Sequence, residues 1–245
     1  MASRPWKFES SPGHHGPPSA FLPKRGGPAS WSTAISNKPD RIELHRNDLP
    51  HDAVFLGAVA IDTETTGLSL KRDRLCLVQL AGPDGVCHLV QFPAEDGPDF
   101  AAPNLRNLLA NPHITKLFHF ARFDIAVLQR QFGPIAPPFY CTKIASKLVR
   151  TYTDRHGLKD LCRELLGVEL SKEQQSSDWG TSALTPEQRS YAAQDVFFLH
   201  RLRERLDAML QREGRFDLSR ECFAFLPIRA ALDLGGWADE DIFAH

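Results

Sequence analysis

The sequence of 245 residues has few cysteines, no excess charge of either sign and no long apolar run. Its five cysteines include no Cys-x-x-Cys pair, which argues against a disulfide framework or a zinc ribbon and favours a reducing compartment. Lysine and arginine number 29 against 30 acidic residues, so bulk positive charge does not hold this chain on nucleic acid. No apolar run reaches the roughly 18 residues of a membrane span, and none near Met1 is typical of a secretory signal. These absences predict a cytoplasmic protein with no membrane partner.

The first forty residues differ from the rest in composition. Eight of the 18 prolines and four of the 16 glycines fall in residues 1–50, and Glu9 is the only acid before Asp40. Such a segment buries too little apolar surface to offset the entropy lost on ordering. We therefore predict a disordered leader over residues 1–40 and a single folded domain over residues 41–245. The acid-poor start also has the composition of an organellar transit peptide, though without an amphipathic pattern.

The folded part begins with short apolar, β-branched stretches. They cover Ala58–Thr63, Leu75–Leu80 and Val86–Phe92, and the short turns between them favour antiparallel pairing. A further strand and two helices follow, over Asn104–Ala110 after Pro103, Ile114–Phe118 and Phe123–Phe132. The pattern predicts an α/β domain with a mixed sheet, in which three antiparallel strands come first and parallel strands after them, flanked by helices.

Two further helices are predicted in the second half of the chain. One covers Leu158–Leu166 and ends before Gly167. The other begins at Thr185-Pro186, because a threonine cap, a proline in the first helical position and Gln188 in the third form a typical helix start. This helix is predicted to run as far as Gly214.

Three acidic residues stand at the predicted ends of strands and helices. Asp62 and Glu64 are two residues apart at the end of an apolar strand, so they share one face of it. Asp124 lies in the first turn of the helix after the fourth strand. Each has an ordinary explanation when taken alone, because acids often end a strand in solvent or stabilise the first turn of a helix.

Tyr191 and Asp195 are four residues apart and therefore lie on one face of the last predicted helix. The alternative is a tyrosine packed in the core and an exposed aspartate. If this aspartate converges with the other three acids, two divalent cations would balance their mutual repulsion. Ligation by oxygen alone favours Mg²⁺ or Mn²⁺ over Zn²⁺. Two such ions about 3.5–4 Å apart promote hydrolysis of a phosphodiester, and Tyr191 would orient the attacking water.

Together these motifs resemble the tyrosine subclass of the DEDD superfamily of 3′-5′ exonucleases. The pattern of that subclass is Asp-x-Glu, a later Asp and Tyr-x-x-x-Asp, which here are Asp62-Thr63-Glu64, Asp124 and Tyr191 to Asp195. The histidine subclass has a histidine at the position of Ser190. His156 to Leu158 and Ser176 to Trp179 look like the ribonuclease D branch. A narrower likeness to the nanoRNase C family rests on Asp73 to Cys76, Phe118 to Asp124, Cys141 to Leu148, Tyr152 to Leu158 and Asp241 to His245.

This likeness covers about residues 41–245. It implies a ribonuclease H-like fold, two metal ions, a preference for RNA dinucleotides and a ring-shaped homo-octamer. It also implies that the four acids hold the metals and that Tyr191 acts in catalysis. About 31 residues follow Gly214, too few for the accessory domains that ribonuclease D carries, which favours a short substrate held within the active site.

Residues beside the acidic motifs are predicted to contact the substrate, namely Thr65, Gly67, Leu68, His119 and Phe120. Gly67 lets the backbone approach a nucleotide, and the resemblance implies that Leu68 wedges between bases. His119 and Phe120 would reach ribose and base. The alternatives are a plain turn at Gly67 and a structural hydrogen bond at His119.

The sequence allows two interpretations for a basic stretch and two for the apolar C-terminal tail. Residues 143–163 carry six basic residues against two acidic ones, which would either guide phosphates or form a solvated helix face. The apolar tail from Phe223 either packs on its own domain or forms a subunit contact of a homo-oligomer.

The sequence thus predicts a metal-dependent 3′-5′ exoribonuclease that hydrolyses RNA dinucleotides to mononucleotides by a two-metal mechanism. One alternative is a broader exonuclease acting on longer RNA or DNA ends. The other is a catalytically silent protein that binds short nucleotides or scaffolds an RNA-decay complex.

Overall fold

The computed structural model describes residues 37–97, 101–171, 174 and 176–244 of the chain. Only residues 37–40 of the predicted leader fall within these ranges, so that prediction lies outside the described residues. The described residues form a six-stranded mixed sheet flanked by helices, which confirms the predicted fold class.

The strands lie in the order β1-β4-β3-β2-β5-β6. They cover Arg41–Arg46 (β1), Ala58–Thr65 (β2), Leu75–Ala81 (β3), Val86–Gln91 (β4), Thr115–Phe118 (β5) and Phe139–Cys141 (β6). As predicted, β2, β3 and β4 pair antiparallel, and β5 then runs parallel to β2. The two outer strands are also parallel to their neighbours, β1 to β4 and β6 to β5.

The sequence does not predict either edge strand. β1 has exposed or half-buried side chains throughout, and β6 has only three residues. Each forms its ladder with a strand distant in sequence, so packing and long-range pairing outweigh the weak local preference.

The helices cover Pro103–Ala110 (α1), Ala121–Phe132 (α2), Thr142–Val149 (α3), Leu158–Leu161 (α4), Pro186–Phe197 (α5), Leu199–Arg212 (α6) and Phe216–Gly235 (α7). A short 3₁₀ turn over Ala94–Asp96 follows β4, and wider π turns over Cys162–Leu166 continue α4. None of the helices in these described ranges has the length and apolar character needed to cross a membrane.

The predicted helix from Thr185 toward Gly214 is wrong in its length. α5 ends at Phe197 and α6 begins at Leu199. Between them Phe198 is fully buried, with φ −90° and ψ −7°. No proline or glycine marks this break, so the burial of an aromatic ring decides it rather than a local sequence signal.

The two faces of the sheet pack against different helices. On one face, Leu77 and Leu89 contact Ala192 of α5. On the other face, Val78 belongs to the large core that includes Ile125 of α2. This division matters for function, because successive residues of β2 point alternately toward α5 and toward α2.

Candidate active site

The two acids of β2 lie where this strand leaves the sheet. Asp62 is opposite Gln79 of β3, and the pairing register shifts between Glu64 and Thr65. Strand alternation places Asp62 and Glu64 on the face covered by α5 and Thr63 on the opposite face. Both acids are half-buried at this edge.

The start of α5 confirms the predicted capping box. Thr185 Oγ1 accepts a hydrogen bond from the Gln188 backbone N–H at 3.2 Å, and Gln188 Oε1 accepts one from the Thr185 N–H at 2.9 Å. These two bonds satisfy backbone donors that a helix start otherwise leaves free. The cap therefore fixes where the helix begins and which face its later residues present to the sheet.

Three carboxylates converge between β2 and α5. One oxygen each of Asp62, Glu64 and Asp195 lies within 4.8 Å of the others. Tyr191, one helical turn before Asp195, is half-buried, and its ring packs against that of Trp179 with centroids 6.1 Å apart. The structure thus brings together residues separated by more than a hundred positions in the sequence.

Asp124 approaches from α2, on the other side of β2. It is 3% exposed, and its Oδ1 accepts a 2.7 Å hydrogen bond from Thr63 Oγ1. It lies outside the group of three carboxylates within 4.8 Å of one another. Burial, and then the charge of Asp62, raise the pKa of Asp124 well above its ordinary value. Asp124 is therefore electrostatically coupled to the other acids while a neutral hydroxyl orients it.

The clustered acids strongly disfavour full ionisation. Burial raises the pKa of Asp62 to about 7. Burial and the charges of its neighbours, Asp62 first, raise the pKa of Glu64 to about 10. Burial and Asp62 also raise the pKa of Asp195. Carboxylates arranged in this way are stable in their charged form only beside a cation.

The donor set fits a hard divalent cation. All three clustered ligands are carboxylate oxygens, the donors that Mg²⁺ and Mn²⁺ prefer, and the set contains no imidazole or thiolate. Gln79 is fully buried between them and donates from Nε2 to Glu64 Oε1 at 3.3 Å. The same nitrogen lies 3.5 Å from Asp62 Oδ2. A neutral amide thus orients these acids without neutralising them.

Tyr191 keeps its phenolic proton at neutral pH. Burial, and then the charges of Asp195 and Glu64, raise the pKa of Tyr191 above its ordinary value. A phenol in this state is a hydrogen-bond donor beside the carboxylates, suited to holding a water molecule or a phosphate oxygen.

A cavity of about 310 Å³ opens onto this group. Its lining includes Asp62, His119, Lys159, Leu170, Tyr191 and Asp195. Thr142 Oγ1 donates to the Phe118 carbonyl, so it accepts from His119 Nδ1 at 2.8 Å. His119 Nε2 is then left as an acceptor. Burial and nearby Lys143 lower the pKa of His119 to about 3, so this imidazole is neutral.

The other predicted substrate residues lie in different places. Phe120 is 46% exposed and lines a separate, mostly apolar cavity of about 380 Å³, with Lys143 Nζ 4.1 Å from its ring centroid. The reason is its left-handed backbone, φ 69°, which turns the chain as α2 begins. Adjacent residues His119 and Phe120 therefore line different cavities.

The loop after β2 has a structural reason for its glycine. Thr65 Oγ1 donates to the Gly67 carbonyl, and a Cβ at position 67 would overlap the carboxylate of Asp73. The Ser69 backbone N–H fixes that carboxylate at 2.8 Å. Leu68, in contrast, is 84% exposed at the tip of the loop. The close approach to Asp73 explains Gly67, while a substrate role for Thr65, Gly67 and Leu68 stays a prediction.

The basic stretch over residues 143–163 does not act as one surface. Arg150 is fully buried and paired with Glu164, and Arg163 pairs with Asp160 at 2.6 Å. Lys159 lines the acidic cavity. Only part of this charge therefore faces the candidate site.

Sequence reasoning missed Thr63 and Gln79 as parts of this site, and it included Lys159 only as one of the six basic residues of the stretch 143–163. Gln79 had a detectable signal, because it is the one polar residue of the otherwise apolar strand β3. Thr63 had none, since a threonine within a strand is ordinary.

Comparison with known proteins agrees with this geometry. The 3′-5′ exonuclease family of DNA polymerase A type matches residues 42–211. The chain is similar to the solved structure of Brucella melitensis NrnC bound to pGG, with 55% identity and a TM-score of 0.80 over 84% of this chain and 98% of that one. Brucella melitensis NrnC with bound Mg²⁺ gives 54% identity and a TM-score of 0.79, covering 84% and 99%.

A curated relative is ribonuclease D of Acidiphilium cryptum strain JF-5, which is 38% identical over 168 residues. The match covers 69% of this chain and 42% of the relative. The chain therefore spans about two fifths of the length of this relative.

Proposed function

Because the chain belongs to the 3′-5′ exonuclease family, in its ribonuclease D branch, we propose that it is a metal-dependent 3′-5′ exoribonuclease acting on very short RNA. Its preferred substrates are dinucleotides, which it hydrolyses to mononucleotides. The observation that carries this proposal is the convergence of Asp62, Glu64 and Asp195 on one another, with Asp62 and Asp195 lining one cavity beside Tyr191.

Two divalent ions, Mg²⁺ or Mn²⁺, fit the acidic group. Asp62, Glu64 and Asp195 would hold them, with Asp124 completing the set from α2. Bound there, the ions would supply positive charge for the attacking water and for the leaving oxygen. The carboxylates would become fully ionised in their presence, because the cations offset the burial that raises the pKa values of Asp62 and Glu64 and the repulsion that adds to it at Glu64.

The protein's own side chains orient the reactants. Tyr191 keeps its proton and donates to the water or to a phosphate oxygen, while Trp179 supports its ring. His119 Nε2 is free to accept from a ribose hydroxyl, and Lys159 offers a positive charge to a phosphate in the same cavity. Thr65, Gly67 and Leu68 would contact the substrate from the loop after β2, and Phe120 from outside this cavity.

Two observations support a dinucleotide as the substrate. The cavity of about 310 Å³ is at the small end of ligand pockets, so it suits one or two nucleotides better than a long strand. The similar Brucella melitensis NrnC was solved bound to pGG. We extend that ligand class to this chain.

The test is a time course of product lengths from 5′-labelled RNAs of two, three, five and ten nucleotides, with Mg²⁺, Mn²⁺ or a chelator. We expect rapid metal-dependent cleavage of the dinucleotide and little of the others. Stepwise shortening of every RNA would indicate a broader exonuclease instead. Inertness toward all four, with or without metal, would favour a nucleotide-binding scaffold.

Variants assign the chemistry to named residues. Asp62→Asn and Asp195→Asn should abolish hydrolysis while the far-ultraviolet circular dichroism stays that of the wild type, since each removes a metal ligand and little volume. Tyr191→Phe should lower kcat more than it raises KM, because it removes only a donor. Turnover by Asp62→Asn at the wild-type rate would overturn the assignment.

The proposal extends to assembly and location, with the protein working as a homo-oligomer of up to eight chains in the cytoplasm. The tail supports an assembly, because α7 buries Phe223 and Leu226 in its own domain yet exposes Ile228 at 56%. Beyond α7, Phe243 is 71% exposed. Five free cysteines support a reducing compartment. Deletion of residues 237–245 should lower the number of chains per particle, as measured by light scattering. An unchanged number of chains would contradict this role of the tail.

A further inference from the structure

A second group of metal-ligand side chains lies away from the acidic cavity, between the edge strand β1 and its neighbour β4. Glu43 of β1 is opposite His88 of β4, and His45 follows two residues later on the same face. His88 is level with Leu80, and Leu80 with Ile61. The group is therefore on the sheet face opposite to Asp62.

Three atoms of this group converge on one point. His45 Nε2 lies 3.0 Å from His88 Nδ1, and Glu43 Oε2 lies 3.2 Å from His88 Nδ1 and 3.7 Å from His45 Nε2. The side chains are only 28%, 18% and 12% exposed for Glu43, His45 and His88. The rings of Phe55 and His88 pack in a T-shaped arrangement with their centroids 5.6 Å apart, which shields His88 further.

One nitrogen links the other two atoms of this triangle. His88 Nδ1 makes both short contacts, and a neutral ring nitrogen is either one donor or one acceptor. If it accepts from His45, its lone pair faces the carboxylate oxygen at 3.2 Å. If it donates, its single proton lies between two acceptors, His45 Nε2 at 3.0 Å and Glu43 Oε2 at 3.2 Å. The triangle therefore offers three electron-pair donors and holds at most one proton between them.

The dimensions match those of a tetrahedral metal centre. Zinc bonds to imidazole nitrogen and carboxylate oxygen are about 2.0–2.1 Å long, so tetrahedral ligand atoms lie about 3.3–3.4 Å apart. The observed separations of 3.0, 3.2 and 3.7 Å bracket this value. Two imidazoles and a carboxylate are also an established protein donor set for Zn²⁺.

We infer that Glu43, His45 and His88 bind a divalent transition-metal ion, Zn²⁺ in preference to Mg²⁺, which cross-links β1 to β4. The ion would lie close to the centre of the triangle, to one side of its plane, and accept all three lone pairs at once. Its fourth position is open to water or to a nearby carboxylate. Because edge strands are held by one ladder only, such a link would stabilise β1 against separation from the sheet.

The electrostatics of the group agree with this assignment. Burial lowers the pKa of His45 and of His88, which keeps both imidazoles neutral, as metal ligation requires. The negative charges of Glu43 and Asp52 act on both rings and favour a cation there, while Arg41, which pairs with Glu43 Oε1 at 2.8 Å, acts against it at His88. The group of Asp62, Glu64 and Asp195 offers carboxylate oxygens alone, so the two sites differ in metal preference.

The experiment measures zinc bound per chain after equilibrium dialysis of the full-length protein against Zn²⁺ in excess Mg²⁺. His45→Gln and His88→Gln test the site, and His113→Gln, at an exposed histidine, is the matched control. Wild type and His113→Gln should each retain one more Zn²⁺ per chain than the two site variants. Zinc bound elsewhere is common to all four proteins and cancels.

Thermal unfolding provides an independent readout. Zn²⁺ should raise the unfolding midpoint of wild type and His113→Gln by more than that of His45→Gln, since zinc bound elsewhere acts on all three proteins alike. Glu43→Gln, which keeps the side-chain shape, covers the case in which a histidine variant fails to fold. Equal zinc content in wild type and all folded site variants would overturn the inference, and so would an unchanged midpoint in wild type. Neither readout depends on nuclease activity.

Discussion

Thr63 Oγ1 donates a 2.7 Å hydrogen bond to Asp124 Oδ1 across the contact between β2 and α2. The threonine stands between the two acids of the first motif but points to the other face of the sheet. Asp124 thereby comes to the same strand end as Asp62 and Glu64 while approaching from the opposite side. The four acids therefore meet at β2. Asp62 and Glu64 belong to this strand, Asp195 reaches it from α5, and Asp124 of α2 is bound by the hydroxyl of Thr63.

Replacing Thr63 by valine should disturb this arrangement without changing the packed volume much. The buried Asp124 would lose its hydroxyl donor, which costs about 1–3 kcal/mol of unfolding free energy. Metal affinity or turnover should fall about tenfold, as is typical when a partner of a ligand is lost. Urea unfolding and dinucleotide hydrolysis at varied Mg²⁺ measure both effects. Thr63→Ser, which keeps the hydroxyl, should recover most of the activity, and equal loss in both variants would contradict the argument.

Gln79→Met should weaken the response to metal more than it weakens the fold. It removes the amide that donates to Glu64 at 3.3 Å and fills a similar volume. We expect the Mg²⁺ concentration for half-maximal activity to rise about tenfold. Gln91→Met is the matched control, because Gln91 is also buried in the sheet but donates to the Thr181 carbonyl at 2.9 Å. A shift of the same size in both variants would indicate a general packing effect.

Asp62→Asn should stabilise the protein when metal is removed by a chelator. A neutral amide relieves repulsion among the buried acids, and the gain in unfolding free energy should be about 1–2 kcal/mol at pH 8. Burial raises the pKa of Asp62 to about 7, so the wild-type carboxyl is already largely neutral at pH 5 and the gain should be smaller there. Unfolding at both pH values tests this. With Mg²⁺ present the order should reverse, and the variant should then be the less stable protein.

Asp233→Asn should loosen α7 from α2. Asp233 is 5% exposed and accepts from Arg122 at 2.7 Å and from Arg229 at 2.6 Å. Losing these charge-assisted bonds should lower the unfolding free energy by about 2–3 kcal/mol. Asp217→Asn, on the same helix but 94% exposed at its side chain, should change it by less than about 0.5 kcal/mol.

The same variant has a defined pH dependence. Burial works to raise the pKa of Asp233, but the bonds from Arg122 and Arg229 outweigh it and hold the pKa below its ordinary value. Its stabilisation is therefore complete above the ordinary aspartate pKa of about 4 and is lost as pH falls through the lower folded value. The difference between wild type and Asp233→Asn should stay constant from pH 7 to about 5 and shrink below about 4. A constant difference down to pH 3 would show that the ionised carboxylate is not responsible.

Much of the fold follows from local patterns in the sequence. The three apolar stretches and the short turn between the last two predict the antiparallel part of the sheet, and Thr185 with Gln188 predicts the start of α5. The break at Phe198 and the edge strand β1 do not follow, because they depend on burial and pairing with residues far along the chain. Local preference is weak where long-range packing has the larger energy.

By itself the sequence determined which residues can share a face, because strand and helix periodicity depend only on neighbouring positions. For this reason the spacing alone shows that Asp62 and Glu64 share one face of a strand, and that Tyr191 and Asp195 share one face of a helix. Only the tertiary structure decided that α5 covers the acidic face while Asp124 reaches it through Thr63. Likewise it alone placed His45 against His88, since strand order is set by pairing across the sheet and leaves no local pattern in either segment.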